Sequence, residues 1–173
     1  MRFSVSSYRI RQFLQAITAR VGEEDRQMVR ALLTPAQAAL FQRMPPNDQQ
    51  HAIRVCRTLL QAGHRDPDLL TAALLHDVGK AAGPLPLWQR VAVVLLEGTA
   101  LLDRVSADGA TGWRRGFALH HRHPEIGARW AEEAGASPRA VWLIRHHQEK
   151  APPDADPDLL HLLSLLQWAD NRN

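Results

Sequence analysis

The stretch Ala73-Leu74-Leu75-His76-Asp77-Val78-Gly79-Lys80 joins an apolar run to a His-Asp pair, a glycine and one of only two lysines in the chain. Adjacent imidazole and carboxylate groups can reach one metal ion if the backbone bends at that point, and Gly79 offers a bend. Lys80 then sets a cation where a phosphate held by that metal would lie. Nearly all other basic residues are arginines, so a lysine here stands out from the composition. The plainer alternative is a helix C-terminus at which His76 and Lys80 answer the helix dipole.

Working outward, the apolar run before His76 reads as a helix opened by Asp66-Pro67, a capping residue followed by a first-turn proline. Upstream, Asn47 with Gln50 has capping-box spacing and starts a helix carrying His51, Arg54, Val55 and Leu59 up to Gly63. Thr34-Pro35 opens a short helix that ends before the diproline Pro45-Pro46. Helices are also expected over roughly residues 6–21 and 24–33. Downstream, Pro86 opens an apolar helix to about Leu102, and a polar loop follows from Ser106 to Gly112. Pro124 begins a helix to Gly135, Ser137-Pro138 caps another ending near His146-His147, and a last helix runs from about Asp158 to Asp170. No period-two strand pattern interrupts this series, so the expected fold class is all-α, a helical bundle. The diproline divides it into an N-terminal helical extension (1–46) and a main domain (47–173).

Seven of the nine histidines lie at or near these helix ends: His51, His76, the group His120, His121 and His123, and the pair His146-His147. With Asp77 and Asp170 they form a donor set of imidazoles and carboxylates without thiolate. Such a set suits manganese, iron, cobalt, nickel or zinc better than calcium or magnesium, which prefer oxygen shells. Residues separated by whole helices meet only if several helices face one centre. His64 in a polar turn and His161 on a Leu-rich helix read as structural, and the five tryptophans read as core.

Bulk properties narrow the class further. A chain of 173 residues, 45 % hydrophobic and 23 % charged, suits one globular domain with a substantial core. Its net charge of +3 is spread thinly, without a run of like charges, so no nucleic-acid partner is signalled. The single cysteine, Cys56, permits no internal disulfide and suits a reducing compartment, hence an expected cytoplasmic location. The apolar run Val91 to Leu96 is too short to span a bilayer. The first 22 residues carry four arginines and no acid, with Ile10, Phe13, Leu14, Ile17 and Val21 at helical spacing. They are expected to pack on the domain, the alternative being a surface-seeking or targeting helix.

In order, His51, His76-Asp77 with Val78-Gly79-Lys80, and Ala169-Asp170 resemble the HD superfamily of metal-dependent phosphohydrolases. His123-Pro124-Glu125-Ile126-Gly127-Ala128 and Ile144-Arg145-His146-His147 resemble the further histidine motifs of its two-metal branch. The resemblance covers about residues 47–170 and implies an HD-domain helical bundle. It implies that His51, His76, Asp77 and Asp170 hold a first metal. Asp77 would bridge to a second held by His123 and His146, with His147 beside it as the less certain ligand. Of the pair, His146 is preferred, because neighbours on a helix point about 100° apart. One or two divalent transition-metal ions are therefore the expected cofactor.

The activity so implied is hydrolysis of a nucleotide or other small phosphoester by metal-activated water. Asp77, Lys80 and Arg54 are the residues expected to serve the chemistry, the last two by neutralising phosphate charge. His146-His147-Gln148-Glu149 is similar to the histidine pair of cyclic-di-GMP phosphodiesterases. Ala151-Pro152-Pro153-Asp154, however, stands where their Gly-Tyr-Pro signature belongs, which argues against a cyclic dinucleotide. The compact chain also looks like small HD hydrolases that split dinucleoside polyphosphates. The competing reading is a catalytically silent HD-type module that binds a nucleotide for regulation. Oligomeric state has no signal in the sequence.

Overall fold

A computed structural model describes residues 21–83, 121–149, 152 and 154–173. Within them run α1 (Glu23–Leu32), α2 (Pro35–Phe41), α3 (Pro46–Gln61), α4 (Pro67–Leu75), a 3-10 turn (Val78–Ala82), α5 (His123–Glu133), α6 (Pro138–His146) and α7 (Pro157–Asp170). Among the described residues there is no strand, and the fold is all-α. The helices expected over 6–21 and 86–102, and the loop 106–112, lie outside the described residues.

Proline opens almost all of these helices. It occupies the first turn of α2 through α7, where its fixed φ suits the helix and its missing N–H costs nothing. Short polar caps satisfy the neighbouring N–H groups. Thr34 and Gln37 exchange a reciprocal capping box, with Gln37 N–H donating to Thr34 Oγ1. Asp66 Oδ1 accepts from Asp68 and Leu69, and Ser137 Oγ accepts from Ala140. The box expected at Asn47 and Gln50 does not form as a cap. Pro46 already takes the first helical position behind Pro45, so Asn47 lies inside the turn and its amide donates to Asp48 Oδ1.

α4 is the central element. Every residue from Leu69 to Leu75 is buried, so this helix has no solvent face, as expected of one enclosed on all sides. It packs against α1, α2, α3, α6 and α7. Ile53, Val55, Cys56 and Leu59 from α3, Leu143 and Ile144 from α6, and Leu162, Leu163 and Leu166 from α7 fill the space around it. Val29, Leu33, Leu40, Phe41 and Met44 join the same core from the N-terminal side.

The helices α4, α6 and α7 run in the same sense, because their two ends are pinned to different places. At their N-termini Arg139 of α6 pairs with Asp66 and Asp68 at the start of α4 and with Asp158 at the start of α7. Ser137 adds a hydrogen bond to Asp68. At the other end, His76, His147 and Asp170 come together. Three helix C-termini, each carrying partial negative charge, thus converge on one spot. A cation is favoured there before any side chain is counted.

Where α4 ends, the backbone changes from α to 3-10. His76 keeps helical angles, Asp77 sits at φ −96° and ψ 1°, and Lys80 N–H bonds back to Asp77 O. The bend therefore falls at Asp77, and Gly79 has no positive φ. Gly79 serves a different need. A Cβ built on it would lie 2.0 Å from the carbonyl oxygen of His123 and 2.8 Å from Gly127 N. Two glycines facing each other let the 3-10 turn press directly onto the first turn of α5. Gly79→Ala should push the two apart and lower stability by about 1–3 kcal/mol, read from the urea midpoint. A midpoint within experimental error of the parent would contradict this contact.

Candidate metal centre

Asp77 is 2 % exposed, and each of its carboxylate oxygens faces a different group of donors. Oδ2 lies 3.5 Å from His76 Nε2 and 3.9 Å from His51 Nε2. Asp170 Oδ1 completes this side, 2.8 Å from His51 Nε2 and 3.6 Å from His76 Nε2. Oδ1 faces the other way, 3.3 Å from His123 Nε2 and 3.8 Å from His147 Nε2, which are themselves 3.3 Å apart. Two overlapping groups result: His51, His76 and Asp77, and Asp77, His123 and His147.

Each donor has a local reason to point inward. The change of backbone type at Asp77 turns adjacent side chains, which on one helix would diverge, toward the same place. His76 and His147 each follow the last turn of a helix, and each Nδ1 donates to the carbonyl three residues earlier, Ala73 O at 2.9 Å and Ile144 O at 2.8 Å. With Nδ1 carrying the proton, the Nε2 lone pair faces the centre, the tautomer a metal-ligating histidine requires. His51 projects from the middle of α3, His123 opens α5 and Asp170 closes α7.

The donors suit a metal on their own chemistry. His76 Nε2 and Asp77 Oδ1 are buried with no hydrogen-bond partner among the described residues, which is costly unless something else satisfies them. Bonds of about 2.0–2.2 Å at tetrahedral or octahedral angles set neighbouring donors roughly 3.0–3.5 Å apart, close to most of these separations. Imidazole with carboxylate suits the first-row divalent ions.

Electrostatics keeps the donors in their binding forms. Burial pushes the His147 imidazole down to about 3, and neighbouring His76 acts the same way. Burial likewise lowers His76, against the opposing pull of Asp77 and Asp170. Burial opposes the Asp77 anion, yet Lys80 and His76 outweigh it and hold the carboxyl well below its usual range. Asp170 also burdened by burial, is lowered by its hydrogen bond from His51. Lys80 Nζ donates to Asp77 Oδ2 at 2.6 Å, and this pairing raises its pKa against the effect of burial.

The structure thus brings together His51, His76, Asp77, His123, His147 and Asp170, with Lys80 beside them. Two expected residues lie elsewhere. His146, preferred over His147 from the sequence, faces away: its ring packs on Trp142 with centroids 4.5 Å apart, and Nδ1 is 3.7 Å from Glu149. The two histidines diverge as helical neighbours must, and the orientation of α6 selects the second. Arg54 is exposed on α3, one turn from His51, and pairs with no described acid. His64 and His161 take no part, and His121 is exposed. Sequence reasoning missed the anchoring carbonyls of Ala73 and Ile144. Their signal was present, since both histidines fall just past the end of a helix.

The family model described as HD domain matches residues 49–172, most of the chain and every residue of the two donor groups. The chain belongs to the HD domain family. Comparison with curated proteins and with solved structures gave no match.

The buried imidazoles make metal-stripped protein sensitive to acid. Unfolded histidine takes its proton near pH 6.5, whereas folded His147 resists it to about 3. Between those values the unfolded state binds more protons, so stability must fall as pH falls, by up to about 1.4 kcal/mol per pH unit for this residue. The carboxylates Asp77 and Asp170, lowered in the fold, add a further loss below about pH 4. Urea midpoints in chelator should drop steadily from pH 7 to 5, and an unchanged midpoint would show that His147 is not held neutral.

Proposed function

We propose that this protein is a metal-dependent phosphohydrolase acting on a nucleotide or another small phosphoester. The observation that carries the reading is one carboxylate, Asp77, common to two groups of imidazole and carboxylate donors. In this reading His51, His76, Asp77 and Asp170 hold one divalent ion, and Asp77, His123 and His147 hold a second. Bound ions supply a water acidified toward neutral pH and a positive seat for phosphoryl oxygens.

The chain's own residues do the remaining work. Asp77 stays ionised at neutral pH and so can serve both groups at once. Neutral His76 and His147, oriented by backbone carbonyls, present lone pairs without first losing a proton. Lys80 stays protonated beside Asp77 and neutralises charge developing on the phosphate. Arg54, exposed a turn along α3, is the proposed contact for a more distant phosphate or for the leaving group. No described helix is long and apolar enough to cross a membrane.

Turnover of bis(p-nitrophenyl) phosphate should appear with manganese or cobalt, rise with pH through neutrality and vanish in chelator. Asp77→Ala should abolish it. Lys80→Ala should lower kcat/KM by about 10²-fold while metal content is retained. Activity surviving chelation would contradict the reading. Loss of metal from the Lys80 variant would contradict the role given to Lys80.

A further inference from the structure

Gln167 lies on α7, one turn before Asp170, in a helix whose buried side is leucine and alanine. Its side-chain amide spans to the loop that follows α6. Nε2 donates both hydrogens, one to His147 O at 3.1 Å and one to Glu149 O at 3.0 Å.

Among the described residues, few other hydrogen bonds restrain the start of that loop. At His147 the end of α6 has no backbone N–H capping bond. Ile144 O is taken by the ring of His147 itself, and His146 O by Glu149 N–H. Two further carbonyls of the segment, His147 O and Glu149 O, are the ones that Gln167 satisfies. One amide therefore fixes the backbone of a donor of the second group to the helix carrying a donor of the first.

We infer that Gln167 is a positioning residue for the second metal site: by clamping His147 O and Glu149 O to α7, it holds the His147 ring where its Nε2 meets Asp77 and His123. This deepens the two-ion reading above and rests on it. Partners one bond removed from the metal commonly change affinity by about 10–100-fold when lost. Here the partner acts on the backbone of the ligand, and the first group should sense it far less, because His51, His76 and Asp170 lie outside the segment that Gln167 holds and His76 is anchored separately on Ala73 O.

Cobalt(II) titration of the full-length protein, followed by its visible ligand-field bands, separates the outcomes. The parent should take up two ions in two steps. Gln167→Met keeps length but removes both donors, and Gln167→Glu sets a carboxylate against two carbonyls. Both variants should bind the first ion within about threefold of the parent and the second roughly 10–100-fold more weakly, with altered bands for that ion. Far-UV circular dichroism should match the parent. Two unchanged steps in both variants would overturn the inference while leaving the two-ion reading intact. Parallel weakening of both steps together with a lowered Tm would overturn it by showing a purely structural cap. Uptake of a single ion by the parent would defeat the two-ion reading, and the inference with it.

Discussion

The sharing of the Asp77 carboxylate between two sets of donors is the constraint around which the described structure is arranged. A carboxylate buried to this degree is unfavourable alone, and burial by itself would raise its pKa. The fold surrounds it with Lys80 on one oxygen, His51 and His76 toward that same oxygen, and His123 and His147 toward the other. Three helix C-termini approaching the same region add a field that favours positive charge. The chain has thus built a partly unsatisfied centre of carboxylates and imidazoles inside an apolar bundle, an arrangement that could hold a cation.

Two contacts outside the donor set make it possible. The Arg139 clamp fixes the starts of α4, α6 and α7, so their ends arrive in register. Each of its pairs is partly exposed and individually worth little, and its value is alignment more than stability. The opposed glycines Gly79 and Gly127 allow the 3-10 turn and α5 to touch by backbone, which brings His123 within reach of Asp77. A methyl group at Gly79 would hold these elements apart, and one at Gly127 would be tightly confined.

Much of this was legible in the chain. Histidines and aspartates gathered at helix ends, and prolines with Ser, Thr or Asp caps, marked the bundle and its centre. What was illegible depended on contacts distant in sequence. Gly79 read as a hinge because its neighbour on α5 is invisible locally, whereas the bend is made by Asp77. The choice between His146 and His147 turned on the rotation of α6, which its packing on α4 and α7 decides. Asn47 looked like a cap because Pro46 was read as a boundary and not as the first residue of a helix. Gln167 gave no signal, since a glutamine on a leucine-rich helix resembles any solvated position.

The claim that one carboxylate serves two ions has a direct test in electron paramagnetic resonance of the manganese(II)-loaded protein. Two ions sharing Asp77 are magnetically coupled, and the spectrum should show the multi-line pattern of a coupled pair, collapsing to isolated-ion signals in Asp77→Asn. A parent spectrum made only of uncoupled manganese at full loading would contradict the account.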